Sequence, residues 1–157
     1  MIIYLYYGEY RNKREELLKK ATDDKPLMYS ISHTDGVWGC LVSETNVGFD
    51  IQIKRDADII KIAKRFFLEQ EARYVKEHGA DGFYDIWTRK EACVKYFRTG
   101  LARDIKSFST VKDGKLAERI ELRDSLCYVN SFDLRDDIKC AYCSDMGGDD
   151  IWIKELK

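Results

Sequence analysis

Proline is almost missing from this chain, with one in 157 residues, and histidine occurs twice. Two histidines are too few to build the His and Asp cluster that a metal-dependent phosphodiesterase usually needs. No apolar run approaches the roughly 20 residues that span a bilayer, which excludes a transmembrane helix. The apolar start, Met1-Ile2-Ile3-Tyr4-Leu5-Tyr6-Tyr7, has no basic stretch and no small-residue cleavage site. It reads as a strand and not as a signal peptide. Charge of one sign is also lacking: 27 basic and 28 acidic side chains leave a net charge of -1. That argues against wholesale binding to nucleic acid or to an anionic membrane. The five cysteines are odd in number and irregularly spaced, unlike a secreted disulfide framework, so cytoplasm is the expected compartment. Cys140 and Cys143 lie in a segment that alternates like a strand, where a spacing of three puts the sulfurs on opposite faces. With no second CxxC, they read as ordinary buried or half-buried thiols.

Apolar residues make up 45% of the chain and charged residues 35%, a globular composition. A chain of this length buries about 70% of its unfolded surface and needs neither metal nor disulfide to fold. Without repeat, linker or low-complexity stretch, residues 1–157 read as one domain. Period-two patterning predicts strands over 2–7, 27–32, 37–43 and 46–54, with a short helix over 11–21. Residues 57–67, 69–77 and 81–98 repeat apolar side chains every three or four positions and read as helices. His78-Gly79-Ala80 separates the last two, and Thr99-Gly100 closes the long one. Period two returns over 107–111, 117–122, 125–134, 138–144 and 151–156. Strands, then helices, then strands make an α+β fold, an antiparallel sheet packed against a helical segment.

Two constellations offer chemistry. In Val47-Gly48-Phe49-Asp50-Ile51-Gln52-Ile53, period two puts Val47, Phe49, Ile51 and Ile53 on one face. Gly48, Asp50 and Gln52 share the other. Asp50 and Gln52 then present two oxygens about 7 Å apart, enough to hold a hard cation, and Gly48 leaves room for something bulky to approach. The alternative is the solvated side of an edge strand. In the long helix, Phe83, Ile86, Trp87, Val94 and Phe97 form an apolar stripe with Lys90 near its middle. A lysine there must snorkel out or meet a buried anion. Glu91 and Lys95, four residues apart, are either a helix-stabilising pair or, with Lys90, part of a phosphate site. A weaker signal is Ser30-Ile31-Ser32-His33-Thr34, whose hydroxyls and imidazole suit phosphate oxygens. His78 reads as a surface residue.

In order, these pieces resemble the phosphopantetheinyl transferases of the surfactin-synthetase-activating (Sfp-like) branch. The resemblance is carried by Lys25-Pro26, Tyr29-Ser30-Ile31-Ser32-His33-Thr34 and Val47-Gly48-Phe49-Asp50. It continues through Ala63-Lys64-Arg65-Phe66-Phe67 with Glu71, the run from Phe83 to Lys95 containing Trp87, Lys90, Glu91 and Lys95, and residues 104–111. It implies that family's fold and an Mg²⁺-dependent enzyme. Such an enzyme moves 4′-phosphopantetheine from coenzyme A to a serine of an apo acyl or peptidyl carrier protein and releases 3′,5′-adenosine bisphosphate. It implies Asp50 and Glu91 as metal ligands, with Gln52 as a weak third, and Glu91 as the group that takes the serine proton. Lys95 would contact phosphate and orient Glu91. Lys25, Ser32, His33, Lys90 and Lys95 would bind the coenzyme, while Trp87 packs.

Two departures stand out against that family. Gln52 occupies a position where some members carry a third acidic ligand. Sfp-like enzymes are tandem pseudo-dimers, whereas here residues 1–25 stand as a reduced first portion before a core over 26–157. Arg11, Lys13 and Arg14 are the basic residues available to replace the family's early phosphate contacts. The reduction implies either a homo-oligomer or a monomer whose segment 2–33 covers the site. It also motivates a second reading, a degenerate relative that binds coenzyme A or carrier protein without turnover.

Overall fold

Alternation at the start of the chain produces β1 (Ile2–Tyr7), with Ile3 and Leu5 buried. The computed structural model describes residues 1–25, 27–98, 105–148 and 150–157. After β1 come α1 (Arg14–Thr22), β2 (Met28–Thr34), β3 (Val37–Ser43) and β4 (Val47–Ile53). Two helices follow, α2 (Ile59–Phe66) and α3 (Glu69–Phe97). The chain ends in β5 (Val111–Lys112), β6 (Lys115–Leu116), β7 (Arg119–Leu122), β8 (Ser125–Arg135), β9 (Ile138–Ser144) and β10 (Trp152–Glu155). One sheet runs β10-β1-β3-β2 and the other β4-β9-β8-β7; β5 and β6 form a separate hairpin. Every pairing is antiparallel except β1 with β10. The expected α+β class with a long helix is what the structure shows.

Three expectations need correction. The two helices expected over 69–77 and 81–98 are one run, interrupted at Gly79, where φ 62° and ψ -142° leave helical geometry. Glycine tolerates that backbone, so the axis turns without a loop. The strand expected over 107–111 is mostly turn. Thr110 gives its N–H and its hydroxyl to Glu71 Oε1, at 2.8 and 3.0 Å, so this stretch satisfies its polar groups against α3 instead of a ladder. The first helix starts three residues later than expected, because residues 11–13 form a turn. Pro26 and the Thr99-Gly100 stop lie outside the described residues. Within them, α3 ends at Arg98, whose left-handed backbone returns its N–H to the carbonyls of Lys95 and Val94.

The two sheets meet along β2 and β4 without a backbone ladder. Ser30, Ser32 and Thr34 point the same way from β2 and are buried. Phe49 N donates to Ser30 Oγ at 2.9 Å and Ile53 N to Thr34 Oγ1 at 3.3 Å, while Ser32 Oγ donates to Asp50 Oδ1 at 2.7 Å. Hydroxyls thus cap the outer edge of β4. Val47, Phe49 and Ile51 sit in a core with Ile3, Leu5, Leu41, Ile138 and Cys140. The opposite face of β4 meets α3 so closely that a Cβ on Gly48 would lie 2.0 Å from the Ala92 carbonyl oxygen and 2.7 Å from Tyr96 N. The space that Gly48 leaves is filled by the helix backbone, not by a ligand.

Those atoms are helix backbone and cannot swing aside. Gly48→Ala should cost about 3 kcal/mol or more, the upper end of the overpacking range. Urea unfolding of parent and variant measures it, and matching midpoints would show that the helix can retreat at no cost.

Candidate active site

The close approach at Gly48 sets α3 over the next inward residue of the strand, Asp50. The residue is 5% exposed. Oδ1 accepts from Ser32 Oγ at 2.7 Å and from Lys95 Nζ at 2.9 Å. Lys95 also donates to the Phe49 carbonyl at 2.9 Å, so this lysine bridges α3 to β4. Oδ2 is buried and has no partner. A buried carboxylate oxygen left bare is costly and rare, and it has the form of a ligand atom awaiting a cation. Burial pushes the Asp50 carboxyl above its ordinary range, against the opposing pull of Lys95 and Ser32.

Glu91 lies one helical turn before Lys95 and is half-buried. Its pKa is pushed up from 4.5 to about 7, first by burial and then by the negative charge of Asp50, with Lys95 pulling the other way. Two neighbouring carboxyls, both raised by burial and one with an orphaned oxygen, are a donor set that a hard divalent cation fits. The expected Glu91–Lys95 pairing is not formed, because Lys95 turns to Asp50 instead. Gln52 is half-buried on the same strand face, and its amide nitrogen makes a long bond to Ile53 O at 3.4 Å.

Further along β2, His33 Nδ1 meets Tyr10 Oη at 3.1 Å, and the two rings lie 5.2 Å apart. Burial lowers the His33 pKa. The positive charges of Arg14, Lys95 and Arg11 lower it further, while Asp50 raises it. An imidazole with three cations in electrostatic reach is a surface suited to phosphate oxygens. Arg11 and Arg14 were visible in the sequence as available basic residues. Tyr10, which holds the ring, was not, since no spacing rule links it to His33.

Two of the expected coenzyme contacts take different roles. Lys90 is 0% exposed, and its ammonium has three donors. They go to Glu71 Oε2 at 2.9 Å, Ile105 O at 2.6 Å and Phe108 O at 2.8 Å. None remains for a phosphate: the buried anion that the helix stripe demanded is Glu71. Ser32 spends its hydroxyl proton on Asp50 and is buried, so it positions the carboxylate instead of reaching a ligand. Lys25 is exposed and pairs with Asp23 at 3.1 Å. Trp87 packs among Phe66, Phe67 and Phe83, as expected.

The profile of the 4′-phosphopantetheinyl transferase superfamily matches residues 46–143, from the start of β4 to the end of β9. The chain belongs to this superfamily. Among curated relatives, the 4′-phosphopantetheinyl transferase Sfp of Bacillus subtilis is 30% identical over 87% of this chain and 64% of its own length. A second Bacillus subtilis 4′-phosphopantetheinyl transferase is 32% identical over 74% of this chain and 54% of its own. The transferase gsp of Aneurinibacillus migulanus is 34% identical over 59% of this chain and 42% of its own. The chain therefore spans less than two thirds of the length of these relatives. Among the described residues, no helix is long and apolar enough to cross a membrane.

The raised Glu91 carboxyl makes the stability of the superfamily member depend on pH in a definite direction. A folded pKa above the unfolded one contributes stability that is full below about pH 4.5 and lost as pH rises through about 7. Asp50 shifts the same way. In chelator, the parent should unfold at lower urea at pH 8 than at pH 5. Glu91→Gln should flatten that slope, and an unchanged slope would mean that Glu91 titrates as an ordinary surface carboxyl.

Proposed function

We propose that this protein transfers the 4′-phosphopantetheine group of coenzyme A to a serine hydroxyl of an apo carrier protein, with Mg²⁺ held by Asp50 and Glu91. The observation that carries the reading is the bare, buried Asp50 Oδ2 set against a half-buried Glu91 of raised pKa. Membership of the superfamily and the activity for which the relatives are named support it.

In this reading a bond forms between the carrier serine Oγ and the pantetheine-bearing phosphorus, and the bond from that phosphorus to the adenosine bisphosphate oxygen breaks. A bound Mg²⁺ would supply positive charge to the diphosphate oxygens. Asp50 is kept from rotating by Ser32 and Lys95, so its free oxygen stays aimed. Glu91, beside the position where the ion would sit, is assigned to accept the serine proton. Lys95 positions Asp50 and lends its charge to the phosphates. His33, with Arg11 and Arg14 near it, and Lys25 further out are assigned to the coenzyme phosphates. Gln52 offers a neutral oxygen toward the metal.

One observation favours a second reading. Gln52 brings no charge to the ion, which suits a relative that binds coenzyme A or carrier protein without turnover. Incubation with coenzyme A, Mg²⁺ and a panel of apo carriers, followed by mass spectrometry of the carriers, separates the two. The phosphopantetheine adduct supports transfer, and coenzyme binding without adduct supports the second reading. Glu91→Gln should lower the transfer rate by about 10²-fold or more; a rate within twofold of the parent would remove Glu91 from the chemistry. Gln52→Glu adds a negative charge near the cation and should lower the Mg²⁺ concentration for half-maximal transfer. Coincident Mg²⁺ titrations would make Gln52 a bystander on the strand face.

A further inference from the structure

On the same helix as Glu91 and Lys95, a second cluster of reactive atoms plays no part in the chemistry above. Cys93 of α3, Cys127 of β8 and Cys143 of β9 are all fully buried, and their sulfurs lie within 4.8 Å of one another. The Cys93 sulfur is 3.2 Å from that of Cys143 and 3.9 Å from that of Cys127. Sheet register explains the convergence. Cys143 is the cross-strand partner of both Gly48 and Val129, so it shares their face. Cys127 lies two residues before Val129 on that face. The close approach of α3 at Gly48 and Ala92 then brings Cys93, the next residue, onto both.

The two remaining cysteines stand apart. Cys140 faces the opposite core, with Phe49 and Ile51, and Cys40 packs near Trp38 and Leu17. The trio is ringed by Ala92, Val129, Ala141 and Tyr96. The guanidinium of Arg89, one helical turn before Cys93, exerts its positive charge on Cys93 and Cys143. Three sulfurs each about 2.3 Å from a common centre would be about 3.8–4.0 Å apart; the Cys93–Cys127 pair stands at that separation, and the Cys93–Cys143 pair would open from 3.2 Å. Among the described residues no fourth His, Cys, Asp or Glu joins the group. A closed zinc site needs four ligands. Thiolates alone, in threefold arrangement and away from oxygen donors, select a soft ion of low coordination number, of which Cu(I) is the biological example.

We propose that Cys93, Cys127 and Cys143 form a three-sulfur site for one Cu(I) ion. Thiol protons pass to solvent as the copper–sulfur bonds form, with no change of oxidation state, and Arg89 offsets one unit of the remaining negative charge. The ion would clamp α3 to β8 and β9 two residues from both Glu91 and Lys95. Because the sulfurs are sealed from solvent, loading requires the seam between α3 and the sheet to open, and release should be slow.

The test uses the full chain, reduced and anaerobic, equilibrated with Cu(I) and then challenged with a chromophoric Cu(I) chelator. One copper per chain should resist the chelator. X-ray absorption of that protein should show three sulfur neighbours at about 2.3 Å and no nitrogen or oxygen. Cys127→Ala should weaken retention by about 10-fold or more, while Cys40→Ala should leave it unchanged. Copper stripped at once from the parent overturns the proposal, as does equal retention by Cys127→Ala or a loss in Cys40→Ala. If Cys127→Ala does not fold, the parent spectrum decides: a nitrogen or oxygen neighbour, or fewer than three sulfurs, overturns it.

Discussion

The contact between the backbone of β4 at Gly48 and that of α3 at Ala92 and Tyr96 governs the rest of the molecule. A helix normally stands off a sheet by the height of the side chains between them. Here there is none at the crossing point, and the helix sits directly on the strand. That short separation lets Lys95 reach both the Phe49 carbonyl and Asp50 across the gap. It brings Glu91 within electrostatic reach of Asp50, and it forces Cys93 onto Cys143. A wider spacing would leave the same residues in the sequence with none of these relations.

The helix is held in place by a second device at its other side. Glu71 and Lys90, one on each side of the break at Gly79, form an ion pair with both side chains fully buried. Burying two charges is expensive, and the pair survives because every remaining donor and acceptor is used. Glu71 takes the N–H of Leu68 and two donors from Thr110, and Lys90 takes two carbonyls from residues 105 and 108. The Lys90 ammonium also sits 4.6 Å from the centre of the Phe108 ring. The effect is to weld both arms of α3 to the segment before β5, so that the helix face carrying Glu91 and Lys95 cannot roll.

Much of this was legible in the residues, and the failures follow a physical pattern. β3 and β9 have the boundaries the sequence predicts, and each is an inner strand buried along nearly its whole length. Lys90 in an apolar stripe was read as either snorkelling out or meeting a buried anion, and it meets the anion. The sequence offered a ligand phosphate, and the fold supplied Glu71. Cys140 and Cys143 do face opposite cores, as a spacing of three in a strand requires. That Cys143 then meets Cys93 and Cys127 depends on cross-strand register and on helix placement, neither of which has a local signal. The roles of Ser30 and Thr34 were hidden for the same reason. A hydroxyl on a strand looks alike whether it waits for a phosphate or caps a neighbouring amide. Ser32 and Gln52 show the limit most directly, since shared direction along a strand does not say which atom each side chain will meet.

The row of hydroxyls on β2 has one more consequence. Two sheets joined by a backbone ladder could slide by two residues and regain every bond, since all amides are alike. Ser30, Ser32 and Thr34 instead form a key whose middle tooth fits a carboxylate and whose outer teeth fit amides. A slip by two residues would bring Thr34 or Ser30 opposite Asp50 and leave one of the two β4 amides without its hydroxyl. The chain thus proofreads its own assembly: only one alignment fills all three positions, and it is the one that sets Ser32 against the acid at the centre of the site.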